Sequence, residues 1–130
     1  MIIAITPVYA ALFALFFVAL SLRVVNLRRS ARINLGDGGN QEMTRRIRVH
    51  GNFIEYVPLT LILMALAELQ GQPAWAVHLI GACLVIGRVA HAYGVGKTPQ
   101  IMPLRVLGMV LTFTALTIGA ITNLVASLAG

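Results

Sequence analysis

The side chains that could do chemistry in this chain are concentrated in residues 48–58, RVHGNFIEYVP. They bring a guanidinium, an amide, a carboxylate and a phenol into a segment that continues as an apolar run to residue 69. At about 100° per residue, these groups and the preceding arginine fall within an arc of about 100° on one helix. This polar stripe consists of Arg45, Arg48, Asn52, Glu55 and Tyr56. Because an ionisable side chain near a bilayer centre costs roughly 2.5 to 3.5 kcal/mol, the stripe requires a partner or a ligand.

The elements that position this stripe are membrane-spanning helices. With 58% hydrophobic and 11% charged residues in a chain of 130, and a mean hydropathy of +0.86, the composition indicates an integral membrane protein. Four apolar runs reach the length of about 20 residues that a span needs. They cover residues 6–27, 47–69, 74–93 and 104–128. The sequence therefore predicts one all-α domain over residues 1–130, a four-helix bundle whose first run is a retained helix and not a cleaved signal.

The basic residues predict how the helices are oriented. All ten cations flank the first and third loops: Arg23, Arg28, Arg29, Arg32, Arg45, Arg46, Arg48, Arg88, Lys97 and Arg105. The second loop, residues 70–73, has none. The positive-inside rule then places loops one and three in the cytoplasm and both termini outside. The net charge of +6 is explained by orientation and by attraction to anionic lipid, so we expect no nucleic-acid binding.

Other reactive side chains are few. Cys83 is the only cysteine, so a cysteine metal cluster is excluded, and a thiol in the middle of an apolar helix predicts a packing role. The three histidines share no ligand spacing, and we predict no metal site. His91 differs from the other two because it follows Arg88 by three residues and shares its helix face.

Two further features allow alternative interpretations. The sequence GDGGN at residues 36–40 is typical of a turn with positive φ, and it could also let backbone approach a bound group. Pro58 removes one hydrogen bond inside the second helix, which could widen the space beside the polar stripe. Proline is also simply commoner in membrane helices than in soluble ones.

Three segments carry a family resemblance. RRSAR at 28–32, RIRVHGNFIEYVPL at 46–59 and GRVAHAYG at 87–94 resemble the MAPEG superfamily, the membrane-associated proteins in eicosanoid and glutathione metabolism, and more closely its bacterial inner-membrane branch. The resemblance implies a homotrimer of four-helix subunits that holds glutathione, as a co-substrate, between neighbouring subunits near the cytoplasmic side. For the trimer we expect contacts through helices two and four, where the latter has a face of small residues: Gly108, Thr112, Ala115 and Gly119.

The resemblance also implies site residues. Arg28 matches an arginine that contacts a glutathione carboxylate, and Arg29 matches its neighbour, which is linked to catalysis or substrate. The residues that match the glutathione-binding positions on helices two and three are Arg48, Asn52, Glu55, Tyr56 and Arg88, and we group His91 with them. The chemistry is consistent, since glutathione has two carboxylates for guanidinium groups and one ammonium for a carboxylate.

The departures from the family pattern leave two classes of function open. Leukotriene-synthesising members have tyrosines where this chain has His91 and Val95, and a thiolate-stabilising arginine where it has Met102. Arg105 lies one helical turn further on and could take that role, or it could be an interfacial or carboxylate-binding cation. The first class is a glutathione transferase or peroxidase acting on lipophilic electrophiles from the bilayer. The second is a non-catalytic membrane binding or accessory subunit. An Arg105 that faces the pocket of Arg48 and Glu55 favours the enzyme, whereas an Arg105 that faces lipid headgroups favours the binding subunit.

Overall fold

The computed structural model describes residues 2–130 and consists of four helices joined by short connections. The helices are α1 (Thr6–Ala31), α2 (Gln41–Leu69), α3 (Ala74–Gly96) and α4 (Met102–Ala129). Each of them is long and apolar enough to cross a membrane. The prediction of an all-α integral membrane protein with four spans is therefore confirmed.

The helices extend beyond the apolar runs at one end of the molecule. α1 continues through its arginines to Ala31, and α2 begins at Gln41, six residues before the run that predicted it. The Asn40 side chain caps α2 by accepting a hydrogen bond from the N–H of Met43 at 3.0 Å. Hydropathy marks only the part of a helix that lipid surrounds, whereas backbone hydrogen bonds and caps set where the helix begins.

The helices run alternately up and down. At one end, Arg46 of α2 donates a hydrogen bond to the carbonyl of Arg23 near the end of α1. At the other end, the Glu68 carboxylate accepts hydrogen bonds from three backbone N–H groups at the start of α1, at 2.6 to 2.8 Å. The donors are Ala4, Ile5 and Thr6. The first and third loops therefore lie together at what we call the basic end of the bundle, which is formed by residues 32–40 and 97–101.

The small-residue face of α4 packs within the chain. Gly108, Thr112, Ala115 and Gly119 are all buried, and a Cβ placed on Gly108 would lie only 2.6 Å from the backbone nitrogen of His91 in α3. The prediction that this face joins subunits is therefore wrong. Small residues let any two helices approach closely, so the pattern alone does not indicate whether the second helix belongs to the same chain.

The GDGGN segment forms a hydrogen-bonded turn. Gly36, Gly38 and Gly39 all have positive φ, the conformation that the sequence predicted for them. The Asp37 carboxylate accepts hydrogen bonds from the N–H of Gly39 at 2.9 Å and from the Thr44 hydroxyl at 2.7 Å. These two donors hold the pKa of the Asp37 carboxyl below its usual value of 3.8. The turn thereby connects the first loop to the opening turn of α2.

Candidate functional site

A cavity of about 290 Å³ opens at the basic end, between α2, α3 and α4. We call it the basic cavity. Its lining consists of Gln41, Thr44, Arg45, Arg48 and Asn52 from α2, His91 and Val95 from α3, and Gln100 and Arg105 from the start of α4 and the residues before it. These nine residues include three arginines and no carboxylate. The cavity is therefore suited to an anionic ligand with several hydrogen-bonding groups.

The wall formed by α2 gives the basic cavity a direction. From Gln41 to Asn52 the helix rises about 16 Å, so the lining residues form a series from the loop end into the bundle. Arg45 and Arg48 lie toward the mouth, and Asn52 lies at the inner end with His91 of α3. A ligand that entered from the basic end would meet the guanidinium groups first and the amide and imidazole last.

Arg105 lies on the same cavity as Arg48. α4 begins at Met102, with Pro103 in its first turn, so Arg105 extends from the opening turn of the helix at the cavity mouth. Its Nη1 donates a hydrogen bond to Oε1 of Gln100 at 2.9 Å, which fixes one side of the guanidinium. Arg105 therefore shares a cavity with Arg48, whereas Glu55, the other residue of the pocket expected from the sequence, does not line it.

Arg88 lies beneath the inner end of the cavity and is only 1% exposed. Its Nη2 donates to Oδ1 of Asn52 at 2.6 Å and lies 3.3 Å from Nδ1 of His91. Nη1 donates a longer bond, 3.4 Å, to the Thr112 hydroxyl. Among residues 2–130 it has no ion-pair partner. Arg88 therefore positions two residues of the lining and is not itself part of the cavity surface.

The polar stripe divides between two surfaces. Arg45, Arg48 and Asn52 line the cavity, whereas Glu55 and Tyr56 do not. Oε1 of Glu55 lies 3.6 Å from Nη1 of Arg48, and the two side chains are 50% and 58% exposed, respectively. The Tyr56 ring packs edge-on against Phe113 of α4, with ring centroids 5.5 Å apart. Arg48 and Glu55 therefore do not form a buried ion pair within the chain, and Arg48 connects the cavity to an exposed carboxylate.

The two arginines at the end of α1 are not part of this cavity. Nη1 of Arg28 donates hydrogen bonds to the carbonyls of Gly36 at 2.8 Å and Ile33 at 3.4 Å, so Arg28 holds the first loop. Arg29 is exposed, and neither residue lines the basic cavity. Within the chain, the site residues expected from the sequence thus do not all line the same cavity.

Sequence reasoning missed four residues of the lining, namely Gln41, Thr44, Val95 and Gln100. The capping residue Asn40 would have identified Gln41 and Thr44, because it shows that α2 begins before its apolar run and includes both residues. Pro103 marks the start of α4. Gln100 lies in the loop just before that start and lines the same cavity as Arg105.

Comparison with known proteins agrees with this architecture. Residues 6–125 match the model of the MAPEG family. The chain is also similar to the inner membrane protein YecN of Escherichia coli K12, with 38% identity over 120 residues that cover 92% of this chain and 90% of that protein. YecN of Escherichia coli O6:H1 matches to the same extent. The fold, the matched segment and these relatives together show that the chain belongs to the MAPEG family.

Proposed function

We propose that this protein binds glutathione in the basic cavity and uses it as a co-substrate. The observation that carries the proposal is the lining itself, in which Arg45, Arg48 and Arg105 surround a space without any carboxylate. Glutathione has two carboxylates, which forked guanidinium groups bind well, and one ammonium. Glu55, 3.6 Å from Arg48, is the nearby carboxylate that suits the ammonium.

We further propose that the protein is a glutathione transferase or peroxidase for lipophilic electrophiles that reach the site from the bilayer. The chemical requirement is a thiolate, because the thiol form is a poor nucleophile. Arg105 is the candidate for stabilising it, since it lines the cavity from α4 whereas Arg48 lines it from α2. Arg29, the other arginine that the resemblance links to catalysis, is exposed at the end of α1 and is the second candidate.

A homotrimer in the bacterial inner membrane completes the proposal. Four of the residues expected at the site do not line the cavity of one subunit: Arg28, Arg29, Glu55 and Tyr56. A site between neighbouring subunits could bring these side chains to the same ligand. The inner membrane is the location named for the YecN relatives. The ten cations that flank the first and third loops support an orientation in which the basic end faces the cytoplasm and both termini face outward.

An ultraviolet difference spectrum of the detergent-purified protein with glutathione tests the catalytic part. A free thiol with a pKa of about 8.5 is mostly protonated at pH 7, and a guanidinium that lowered this value by one to two units would ionise a large fraction. We expect thiolate absorbance in the parent protein, its loss in Arg105→Leu, and its retention in Arg29→Leu. Loss in Arg29→Leu alone would assign the role to Arg29. Binding without thiolate in the parent would favour a non-catalytic binding or accessory subunit.

A further inference from the structure

His91 has an unusual position at the inner end of the basic cavity. The residue is only 4% exposed, yet it contributes to the cavity lining. One ring nitrogen, Nδ1, lies 3.3 Å from Nη2 of Arg88. The other, Nε2, makes no hydrogen bond within residues 2–130 and is not enclosed by protein atoms. One nitrogen is therefore held by the protein while the other remains open to the cavity.

The contact with Arg88 determines which nitrogen carries the proton. A guanidinium can only donate hydrogen bonds, so Nδ1 of His91 must present its lone pair to Nη2. A neutral imidazole with a free Nδ1 carries its proton on Nε2. Arg88 cannot easily turn away, because Asn52 and Thr112 also accept hydrogen bonds from it. An imidazolium, or the opposite tautomer, would direct an N–H of the ring at an N–H of the guanidinium.

We propose that Arg88 fixes His91 as the neutral Nε2–H tautomer, so that the ring presents a hydrogen-bond donor to an oxygen or sulfur acceptor of the ligand at the cavity floor. His91 is then a binding residue, and Arg88 is a positioning residue that acts through it. The identity of the ligand rests on the proposed function, whereas the tautomer does not. The cavity thus combines cationic donors at its mouth with a neutral donor at its floor.

The tautomer can be measured on the unliganded protein. Nitrogen-15 spectra of protein labelled at histidine distinguish a protonated from an unprotonated ring nitrogen, and the chain has only three histidines. His50→Gln and His78→Gln assign the other two signals, since His50 contacts Ser21 and His78 contacts Tyr9, away from the cavity. We expect His91 to show an unprotonated Nδ1 and a protonated Nε2 at neutral pH. A protonated Nδ1 would overturn the proposal.

The role of Arg88 requires a variant. In Arg88→Met the obligatory donor is gone, and we expect the Nδ1–H tautomer of His91 to gain population. An unchanged tautomer in a folded Arg88→Met protein would show that Arg88 does not fix the ring. Because Arg88 is buried, this variant could fail to fold, in which case the spectrum of the parent protein still decides the tautomer.

The donor function is tested by titration with reduced glutathione. We expect the Nε2 resonance of His91 to shift on binding, and His91→Leu to weaken affinity about two- to tenfold, the range for loss of one neutral hydrogen bond. His91→Gln, which keeps an N–H donor, should retain most of the affinity. Binding with an unmoved Nε2 resonance and full affinity in His91→Leu would contradict the donor role. If glutathione does not bind at all, the proposed function fails while the tautomer measurement still decides the state of His91.

Discussion

Gly108→Ala should separate α3 from α4 and thereby disturb the floor of the basic cavity. The added Cβ would lie 2.6 Å from the His91 nitrogen and 2.7 Å from the Gly87 oxygen. Both atoms belong to the backbone, so no side-chain rotation can relieve the contact. Carbon atoms prefer separations of about 3.5–4.0 Å, so the helices must move apart by about 1 Å. Overpacking of this kind typically costs about 1–3 kcal/mol.

Gly51→Ala is the matched control. A Cβ at Gly51 would meet only Nη1 of Arg48, at an ordinary contact distance of 3.7 Å. The same substitution should therefore be neutral or stabilising by about 0.5–1 kcal/mol, because alanine loses less conformational freedom in a helix than glycine does. Thermal unfolding of both variants in the same detergent measures the difference. Equal stability of Gly108→Ala and Gly51→Ala would refute the close approach of α3 and α4.

Three further predictions concern the charged residues and the assembly. Glu55→Gln should weaken glutathione binding while changing stability by less than about 1 kcal/mol, because its pair with Arg48 is half exposed. Glu42→Gln is the control for affinity, because it also removes an ion pair on the same helix, the one with Arg46. Unchanged glutathione affinity in Glu55→Gln would make Glu55 a structural counter-ion. Glu68→Gln should destabilise the start of α1 by about 1 kcal/mol, because its carboxylate accepts three backbone N–H groups there, and unchanged hydrogen exchange of those amides would contradict this. Cross-linking or native mass measurement in mild detergent should give a trimer, and only monomers or dimers would contradict the proposed assembly.

Much of the fold could be predicted from the sequence because hydropathy reports directly which segments lipid can surround. All four helices are found where the apolar runs placed them. The ends of α1 and α2 at the basic end could not be read from hydropathy, since a cap at Asn40 starts α2 among charged residues. The small residues of α4 were wrongly assigned to an interface between chains, because Gly108 packs on α3 of the same chain.

The site was predictable only in part because a stripe on one helix does not specify what faces it. The spacing of Arg45, Arg48 and Asn52 correctly placed three residues on one surface. The same spacing included Glu55 and did not reveal that the cavity ends before it. The sequence left open whether Arg105 lines the cavity. Only the packing of α4 against α3 determines which way the first turn of α4 faces.

The most direct test of the proposed function is a thermal-shift titration of the detergent-purified protein with reduced glutathione. A ligand that binds only the folded state stabilises it by RT ln(1 + [L]/Kd), about 2.7 kcal/mol at one hundred times Kd. We predict a rise in unfolding temperature that depends on glutathione concentration and is reduced in Arg48→Leu, which removes a guanidinium from the cavity lining. No shift at millimolar glutathione, or an equal shift in Arg48→Leu, would contradict glutathione binding in the basic cavity.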